Sequence, residues 1–112
     1  MDPSEIDALV VQDMNGLNAG SFFIRNTPVM RLFVDFWNDP ILIEFANERY
    51  ALKDQDLFLH LIFQHPELRQ RVGWVQQNVF NAYTQGGEDI IWRPGDLAVH
   101  FASCGYGLSK VC

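Results

Sequence analysis

The chain has 112 residues, of which 8 are basic and 14 acidic, and its formal net charge is −6. This length suits one domain or part of one, and 48% hydrophobic residues, including nine Phe, supply ample material for a core. The basic residues are scattered, which disfavours a nucleic-acid interface, because such interfaces cluster positive charge. The sequence has no apolar run of about 18 residues, so we predict no membrane-spanning segment. Its acidic start is also unlike a secretory leader.

The first predicted elements are strands. Residues Ala8–Val11 form either a short strand or a lead-in to one. The segment Leu17–Arg25 is predicted as a buried strand, entered through Gly16 and Gly20, because glycine adopts backbone conformations that side chains forbid.

Two helices are predicted next. Thr27 is placed to cap the first helix and Pro28 to occupy its first position. Its apolar residues recur with helical spacing, and they are Val29, Leu32, Phe33, Phe36 and Trp37. We expect this helix to end at Asn38-Asp39-Pro40 and a second one to span Ile41–Tyr50.

A third helix is predicted in KDQDLFLHLIFQHPEL, with Asp54 near its start and Pro66 marking its end. Its apolar side comprises Leu57, Phe58, Leu61 and Ile62. The stretch RVGWVQQNVFNAY has strand-like composition, TQGGED predicts a turn, and DLAVHFASC predicts a final short strand. Strands alternating with helices indicate an α/β fold.

Two clusters of polar residues are candidates for binding. Asp13, Asn15 and Asn18 lie on a glycine-bearing segment, where amides and carboxylates are suited to hold sugar hydroxyls. The alternative is a turn at Asn15-Gly16 that Asn18 caps, and the spacing alone favours this alternative. Asp54 and Gln55 begin the third helix, where a carboxylate either complements the helix dipole or is presented to a polar substrate.

His100, in AVHFASC, is either a satisfied, partly buried side chain or a ligand of Mn²⁺ or another divalent ion. His60 and His65 are assigned to solvent or helix-end roles, and Trp74, Tyr83 and Trp92 to the core or its rim. The two cysteines, Cys104 and Cys112, lack zinc-site spacing. A G-x-S-x-G elbow and a phosphate-binding glycine loop are also missing from the sequence.

Four motifs together resemble a known family. They are NGLNAGSFFIRNT before an aromatic-rich helix ending in FWNDP, then DQDLFLHLI, then HPELRQRVGWVQQNVFNAY, and finally GDLAVHFASC. In order and spacing they resemble the C-terminal half of the fungal galactosyl/mannosyltransferases, which are related to plant xyloglucan xylosyltransferases. That family includes Golgi α-1,2-galactosyltransferases and α-1,6-mannosyltransferase subunits.

The resemblance implies an α/β fold of GT-A type, with a mixed sheet and flanking helices. It further implies retaining transfer of a hexose from a nucleotide sugar, UDP-galactose or GDP-mannose, to a glycan, with Mn²⁺ as the cation. On this basis Asp54 and Gln55 are the catalytic pair, and Asp13, Asn18 and Gly20 line the sugar site. His100 is then a metal ligand.

The same resemblance implies that residues 1–112 are a partial domain. The nucleotide-binding N-terminal half, with its DxD metal ligands and membrane anchor, is expected to lie outside them. Full-length relatives would face the Golgi lumen, where Cys104 and Cys112 would form a disulfide. The alternative hypothesis is a non-catalytic remnant or accessory module that packs on another glycosyltransferase in a complex.

Overall fold

The computed structural model describes residues 3–14 and 16–101. The chain divides into an N-terminal unit (Met1–Trp74) and a C-terminal unit (Val75–Cys112). The helices and strands are, in order, β1 (Ala8–Asp13), β2 (Gly16–Ile24), α1 (Pro28–Trp37), α2 (Pro40–Arg49), α3 (Asp54–Gln64), α4 (Pro66–Arg69) and β3 (Val72–Val75). The strands form a mixed sheet of order β2-β1-β3, which agrees with the predicted α/β class. The expected single partial domain stays a prediction.

The first two strands form an antiparallel hairpin, so the segment starting at Ala8 is a strand rather than a lead-in. Gly16 pairs with Asp13 at the turn and has a φ of +99°, which favours glycine. The prediction of a buried strand was wrong for the last two residues of β2. Phe23 and Ile24 are exposed, because the core packs against β2 only as far as Phe22.

The start of α1 is confirmed, since Thr27 Oγ1 accepts a hydrogen bond from the Met30 backbone N–H at 3.2 Å. The predicted buried face was partly wrong. Met30 and Phe33 are buried, whereas Leu32 and Phe36 are 55% and 44% exposed. The helix is turned by its contacts with α2 and α3, so a neighbouring stripe of the same apolar surface enters the core.

The second and third helices are confirmed. The four residues predicted for the apolar side of α3 are all buried, namely Leu57, Phe58, Leu61 and Ile62. The helix ends before Pro66 as expected. Pro66 also begins the one-turn helix α4, which the sequence did not predict, because proline is well suited to a first helical position.

Phe58 is the centre of an aromatic cluster in the N-terminal unit. Its ring centroid lies 4.8 Å from that of Trp37, 4.9 Å from that of Phe33 and 5.2 Å from that of Phe22, all in edge-to-face geometry. This geometry is favourable for aromatic pairs. Phe58 lies in α3, Phe22 in β2, and the other two partners in α1. The cluster therefore packs α3 against both β2 and α1.

The strand predictions for the later part of the chain were too long. RVGWVQQNVFNAY contains the strand Val72–Val75, a short 3₁₀ helix at Gln77–Val79, and two residues, Ala82 and Tyr83, that form isolated bridges. The predicted strand in DLAVHFASC is, as far as residue 101, a single parallel bridge between Ala82 and Val99. One bridge supported by a few backbone hydrogen bonds does not extend into a ladder.

Candidate functional site

The middle of β2 departs from regular pairing. Leu9 pairs with Phe23 and Val11 pairs with Asn18, so the single residue Val10 lies opposite the four residues 19–22. Such a bulge removes backbone groups from the ladder, and those groups need other partners. The predicted sugar-binding segment lies in this irregular stretch.

Asn18 supplies one of these partners. Its side chain is only 7% exposed, and its Oδ1 accepts a hydrogen bond from the Gly20 backbone N–H at 2.8 Å. Its Nδ2 donates to Asp13 Oδ2 at 2.7 Å. Asn18 therefore orders the bulge and orients the Asp13 carboxylate, as expected of a residue in a turn.

Gln55 supplies the other partner. Its Oε1 accepts a hydrogen bond from the Ala19 backbone N–H at 2.9 Å, across 36 residues of sequence. We name Asp13, Asn18, Ala19, Gly20 and Gln55 the bulge cluster. Four of these five residues were predicted as site residues, and the structure brings them together in one hydrogen-bonded group.

Asp54 directly precedes Gln55 of the bulge cluster in the sequence. Its side chain is exposed, and its backbone oxygen accepts a hydrogen bond from Trp37 Nε1 at 2.8 Å. The preceding residue, Lys53, has a φ of +48°, a left-handed value that favours glycine. Strained backbone of this kind is frequent at binding and catalytic sites, and here it directly precedes the predicted catalytic pair.

Asp54 and Asp56 both lie in the first turn of α3, where a carboxylate complements the helix dipole, and Asp56 also makes a hydrogen bond. Asp56 Oδ2 accepts a hydrogen bond from the Leu52 backbone N–H at 3.0 Å, and the N-cap residue Lys53 makes no capping bond with its side chain. Asp56 thus orders the turn before the helix. The Asp54 carboxylate is left at the surface beside Gln55.

His100 lies in the C-terminal unit and is partly buried. Its Nδ1 lies 2.9 Å from Asn81 Oδ1, and its backbone N–H donates to the Ala82 oxygen at 2.6 Å. The Tyr83 ring contacts the imidazole edge-to-face, with centroids 5.6 Å apart. Three consecutive residues therefore fix this histidine, which agrees with the hypothesis of a satisfied, partly buried side chain.

The described residues supply only part of a site for the metal that the resemblance implies. Within residues 3–14 and 16–101, no group of three His, Cys, Asp or Glu side chains is arranged to hold an ion. A neutral imidazole held through Nδ1 fits the role of one ligand, because metal-bound histidines commonly donate their other ring N–H to an oxygen. The described part of the chain accordingly supplies one candidate ligand, and no complete site.

Sequence reasoning missed a buried carboxylate. Asp7 is 5% exposed, and its Oδ2 accepts a hydrogen bond from Arg71 Nη1 at 2.8 Å. Arg25 Nε lies 3.7 Å from its Oδ1, and Thr27 Oγ1 donates to Oδ2 at 3.5 Å. The partners are 18 to 64 residues away in sequence, and only the position of an acid directly before a strand marked Asp7 as unusual.

The remaining candidates fall into three groups. His60 lies within α3, is partly buried, and its Nδ1 lies 2.9 Å from the Tyr50 hydroxyl oxygen, so the assignment to solvent or a helix end was wrong for this histidine. Trp74 and Trp92 are partly exposed aromatics, as expected at the rim of a core. Asn15, Cys104 and Cys112 lie outside the described residues, and the predicted disulfide stays a prediction.

Comparison with protein families decides the relationship. The model of the galactosyl transferase GMA12/MNN10 family matches residues 1–110, nearly the whole chain. The chain belongs to this family. This membership confirms the resemblance drawn from the four sequence motifs.

Curated relatives of this chain carry transferase names. A probable alpha-1,2-galactosyltransferase of Schizosaccharomyces pombe is 42% identical over 103 residues, covering 92% of this chain and 29% of the relative. An alpha-1,2-galactosyltransferase of the same yeast is 41% identical over 107 residues, covering 94% and 27%. A probable alpha-1,6-mannosyltransferase of Saccharomyces cerevisiae is 30% identical over 112 residues, covering 92% and 28%.

The chain spans less than a third of the length of each of these relatives. No solved structure matches it with significance. Among the described residues, no helix has both the length and the apolar character that crossing a membrane requires.

Proposed function

We propose that this chain is the C-terminal part of a retaining hexosyltransferase of GT-A type, which transfers galactose or mannose from a nucleotide sugar to a glycan. The observation that carries this proposal is the hydrogen bond between Gln55 and Ala19. It joins the start of α3 to the bulge in β2, so that the candidate catalytic pair and the candidate sugar-binding residues form one group.

The bulge cluster has the chemistry for binding a sugar. Gln55 Oε1 accepts the hydrogen bond from Ala19, and the two N–H groups of the same amide are donors for a sugar hydroxyl. The exposed Asp54 carboxylate, one residue earlier, is a strong acceptor. A few fixed polar groups of this kind are what orient a small ligand.

Asn18 and Gly20 set the shape of this site. A Cβ added at Gly20 would lie 2.9 Å from Asn18 Oδ1, which is closer than side-chain carbons approach oxygen in proteins. Glycine therefore lets the Asn18 amide bond the backbone and keep its hold on Asp13. In the proposed enzyme, this arrangement presents the backbone of β2 and the Asp13 carboxylate to the sugar.

Mn²⁺, when bound, would supply charge stabilisation to the departing diphosphate. His100 is the one candidate ligand in the described residues, and we propose that carboxylates outside residues 1–112 complete the site. The same extension would hold the nucleotide. The proposal that residues outside this chain hold the nucleotide is consistent with the share of each relative that the chain covers. The full protein would then lie in the Golgi lumen.

A chimeric enzyme tests the proposal directly. The corresponding segment of the Schizosaccharomyces pombe alpha-1,2-galactosyltransferase, 41% identical over 107 residues, would be replaced by this chain. We expect galactosyl transfer in the presence of Mn²⁺, lost with Gln55→Ala and kept with Gln64→Ala, an exposed glutamine of the same helix. A folded chimera without transfer would overturn the proposal.

One observation favours a non-catalytic role as the second candidate. Leu32 and Phe36, one helical turn apart on α1, are both substantially exposed and form an apolar surface. An accessory module would pack this surface on another glycosyltransferase. The chimera described above separates the two roles, because an accessory module placed in the Schizosaccharomyces pombe enzyme would not restore galactosyl transfer, whereas the C-terminal part of a hexosyltransferase would.

A further inference from the structure

The side chain of Asn81, in the C-terminal unit, has no role in the function proposed above. It is 3% exposed, which is rare for an amide, and its Oδ1 lies 2.9 Å from Nδ1 of His100. Burying an amide costs free energy unless its polar atoms are hydrogen-bonded, so a buried asparagine indicates a specific partner.

We infer that Asn81 is a positioning residue that holds His100 in the tautomer with the proton on Nδ1 and thereby presents Nε2 as an electron-pair donor. An amide oxygen accepts hydrogen bonds and cannot donate them. The contact with Asn81 Oδ1 therefore requires a proton on the facing ring nitrogen. In a neutral imidazole the other nitrogen then carries the free electron pair.

The backbone holds the two residues in register. The His100 N–H donates to the Ala82 oxygen at 2.6 Å, in the same stretch where Val99 bridges Ala82. Asn81 is held in turn by its own N–H, which donates to the Gln77 oxygen at 2.9 Å. Both ends of the contact are therefore fixed by main-chain hydrogen bonds before the side chains meet.

The Tyr83 ring restricts the remaining freedom of the imidazole. Its edge-to-face contact with His100 limits rotation of the ring about its bond to Cβ. Rotation would be the only way to exchange Nδ1 for another ring atom at Asn81. The orientation of Nε2 is thus set by Asn81 on one side and by Tyr83 on the other.

This inference rests on the proposed function for its purpose. A histidine that ligates a cation must offer one nitrogen without a proton, and an oxygen acceptor on the other nitrogen determines which one it is. Asn81 Nδ2, which has no hydrogen-bond partner within the described residues, is the donor end of the same amide. If the Asn81 amide were rotated by half a turn, its Nδ2 would donate to His100 Nδ1. His100 Nε2 would then carry the proton and could not bind a cation.

The experiment is ¹⁵N NMR of the histidine rings in the full 112-residue chain without metal. The ring signals of His100 are assigned as those that disappear in a His100→Gln variant. Cross-peaks between ring nitrogens and ring protons then show which nitrogen is protonated. We expect His100 to carry its proton on Nδ1. A proton on Nε2 in the wild type would overturn the inference.

Variants of Asn81 then test the cause. Asn81→Leu should shift the tautomer ratio of His100 about fivefold towards Nε2–H, the equivalent of one hydrogen bond of about 1 kcal/mol. Asn81→Asp retains an oxygen acceptor and should preserve the wild-type tautomer. Asn78→Leu removes an amide whose Oδ1 is buried without a hydrogen-bond partner within the described residues, and it serves as the matched control. An unchanged ratio in folded Asn81→Leu would overturn the inference, and the wild-type spectrum remains decisive if that variant does not fold.

Mn²⁺ added to the chimera of the proposed-function test separates this inference from the proposed function, because the described residues of the chain alone supply one candidate ligand. Paramagnetic broadening of the His100 ring signals in the chimera reports cation binding, whereas the tautomer is measured in the 112-residue chain without any cation. Tautomer control by Asn81, together with His100 signals that Mn²⁺ does not broaden in the chimera, would support the positioning role and count against His100 as a ligand.

Discussion

Gln55 Oε1 accepts a hydrogen bond from the Ala19 backbone N–H at 2.9 Å, so one side chain connects the start of α3 to the irregular middle of β2. The bond satisfies a backbone donor that the bulge removes from the ladder. Gln55 therefore has a structural role beside the catalytic role that we propose for it, and the two can be separated by experiment.

Gln55→Ala should lower the free energy of unfolding by about 1 kcal/mol, because it leaves the Ala19 N–H without its partner. Urea denaturation measures this loss, and hydrogen exchange of the Ala19 amide should accelerate. Gln55→Glu retains an oxygen acceptor and should preserve most of the stability, although it removes the amide donors offered to a sugar. Gln64→Ala, on the exposed end of α3, is the control. Equal stability of Gln55→Ala and Gln64→Ala would contradict the structural role.

Gly20→Ala should destabilise the chain by roughly 1–2 kcal/mol, because the new Cβ displaces the Asn18 amide from its two hydrogen bonds. A double-mutant cycle gives the sharper test. In an Asn18→Ala background the clash is gone, so the cost of Gly20→Ala should largely disappear. Gly87→Ala, where an added Cβ meets no atom within 4 Å, is the control. Additive costs for the Gly20 and Asn18 changes would show that the clash does not operate.

Lys53→Gly should stabilise the chain by about 1 kcal/mol, because glycine relieves the left-handed backbone at this position. Lys53→Ala keeps the strain and removes only the charge, so it should leave the free energy of unfolding nearly unchanged. Thermal and urea unfolding of both variants measure the difference. If Lys53→Gly proves neutral or destabilising, the backbone before Asp54 is not strained.

The ion pairs of Asp7 should respond asymmetrically to mutation. Its side chain is buried, whereas those of Arg71 and Arg25 are 42% and 57% exposed. Arg71→Met leaves a buried carboxylate with weaker compensation and should cost roughly 2–3 kcal/mol, whereas Asp7→Asn leaves hydrated arginines and should cost about 1 kcal/mol. Arg69→Met, at an exposed position, is the control. A larger loss in Asp7→Asn than in Arg71→Met would reverse this account.

Local sequence patterns were sufficient for much of the helical structure. The start of α1 depends on Thr27 and Pro28, which are adjacent in sequence, and α3 is defined by its own acidic first turn, its apolar spacing and Pro66. The buried face of α1 was only partly predicted, because two adjacent apolar stripes satisfy the same periodicity. Which stripe is buried depends on the elements that pack against the helix.

The candidate site was less accessible to sequence reasoning, because its contacts are distant along the chain. Gln55 meets Ala19 across 36 residues, and Asn81 meets His100 across 19. No local pattern marks the bulge, since the register of two paired strands is set by the core on both sides. Family resemblance named most of the residues of the bulge cluster, but the hydrogen bonds among them became visible only in the fold.

The bulge in β2 also bears on how copies of this chain meet. An edge strand with regular, unpaired N–H and C=O groups is a template on which a second molecule can add a strand. In β2 the stretch opposite Val10 is irregular, so its backbone groups do not form the regular row that strand addition needs. The same irregularity that shapes the candidate site therefore blunts this edge against self-association.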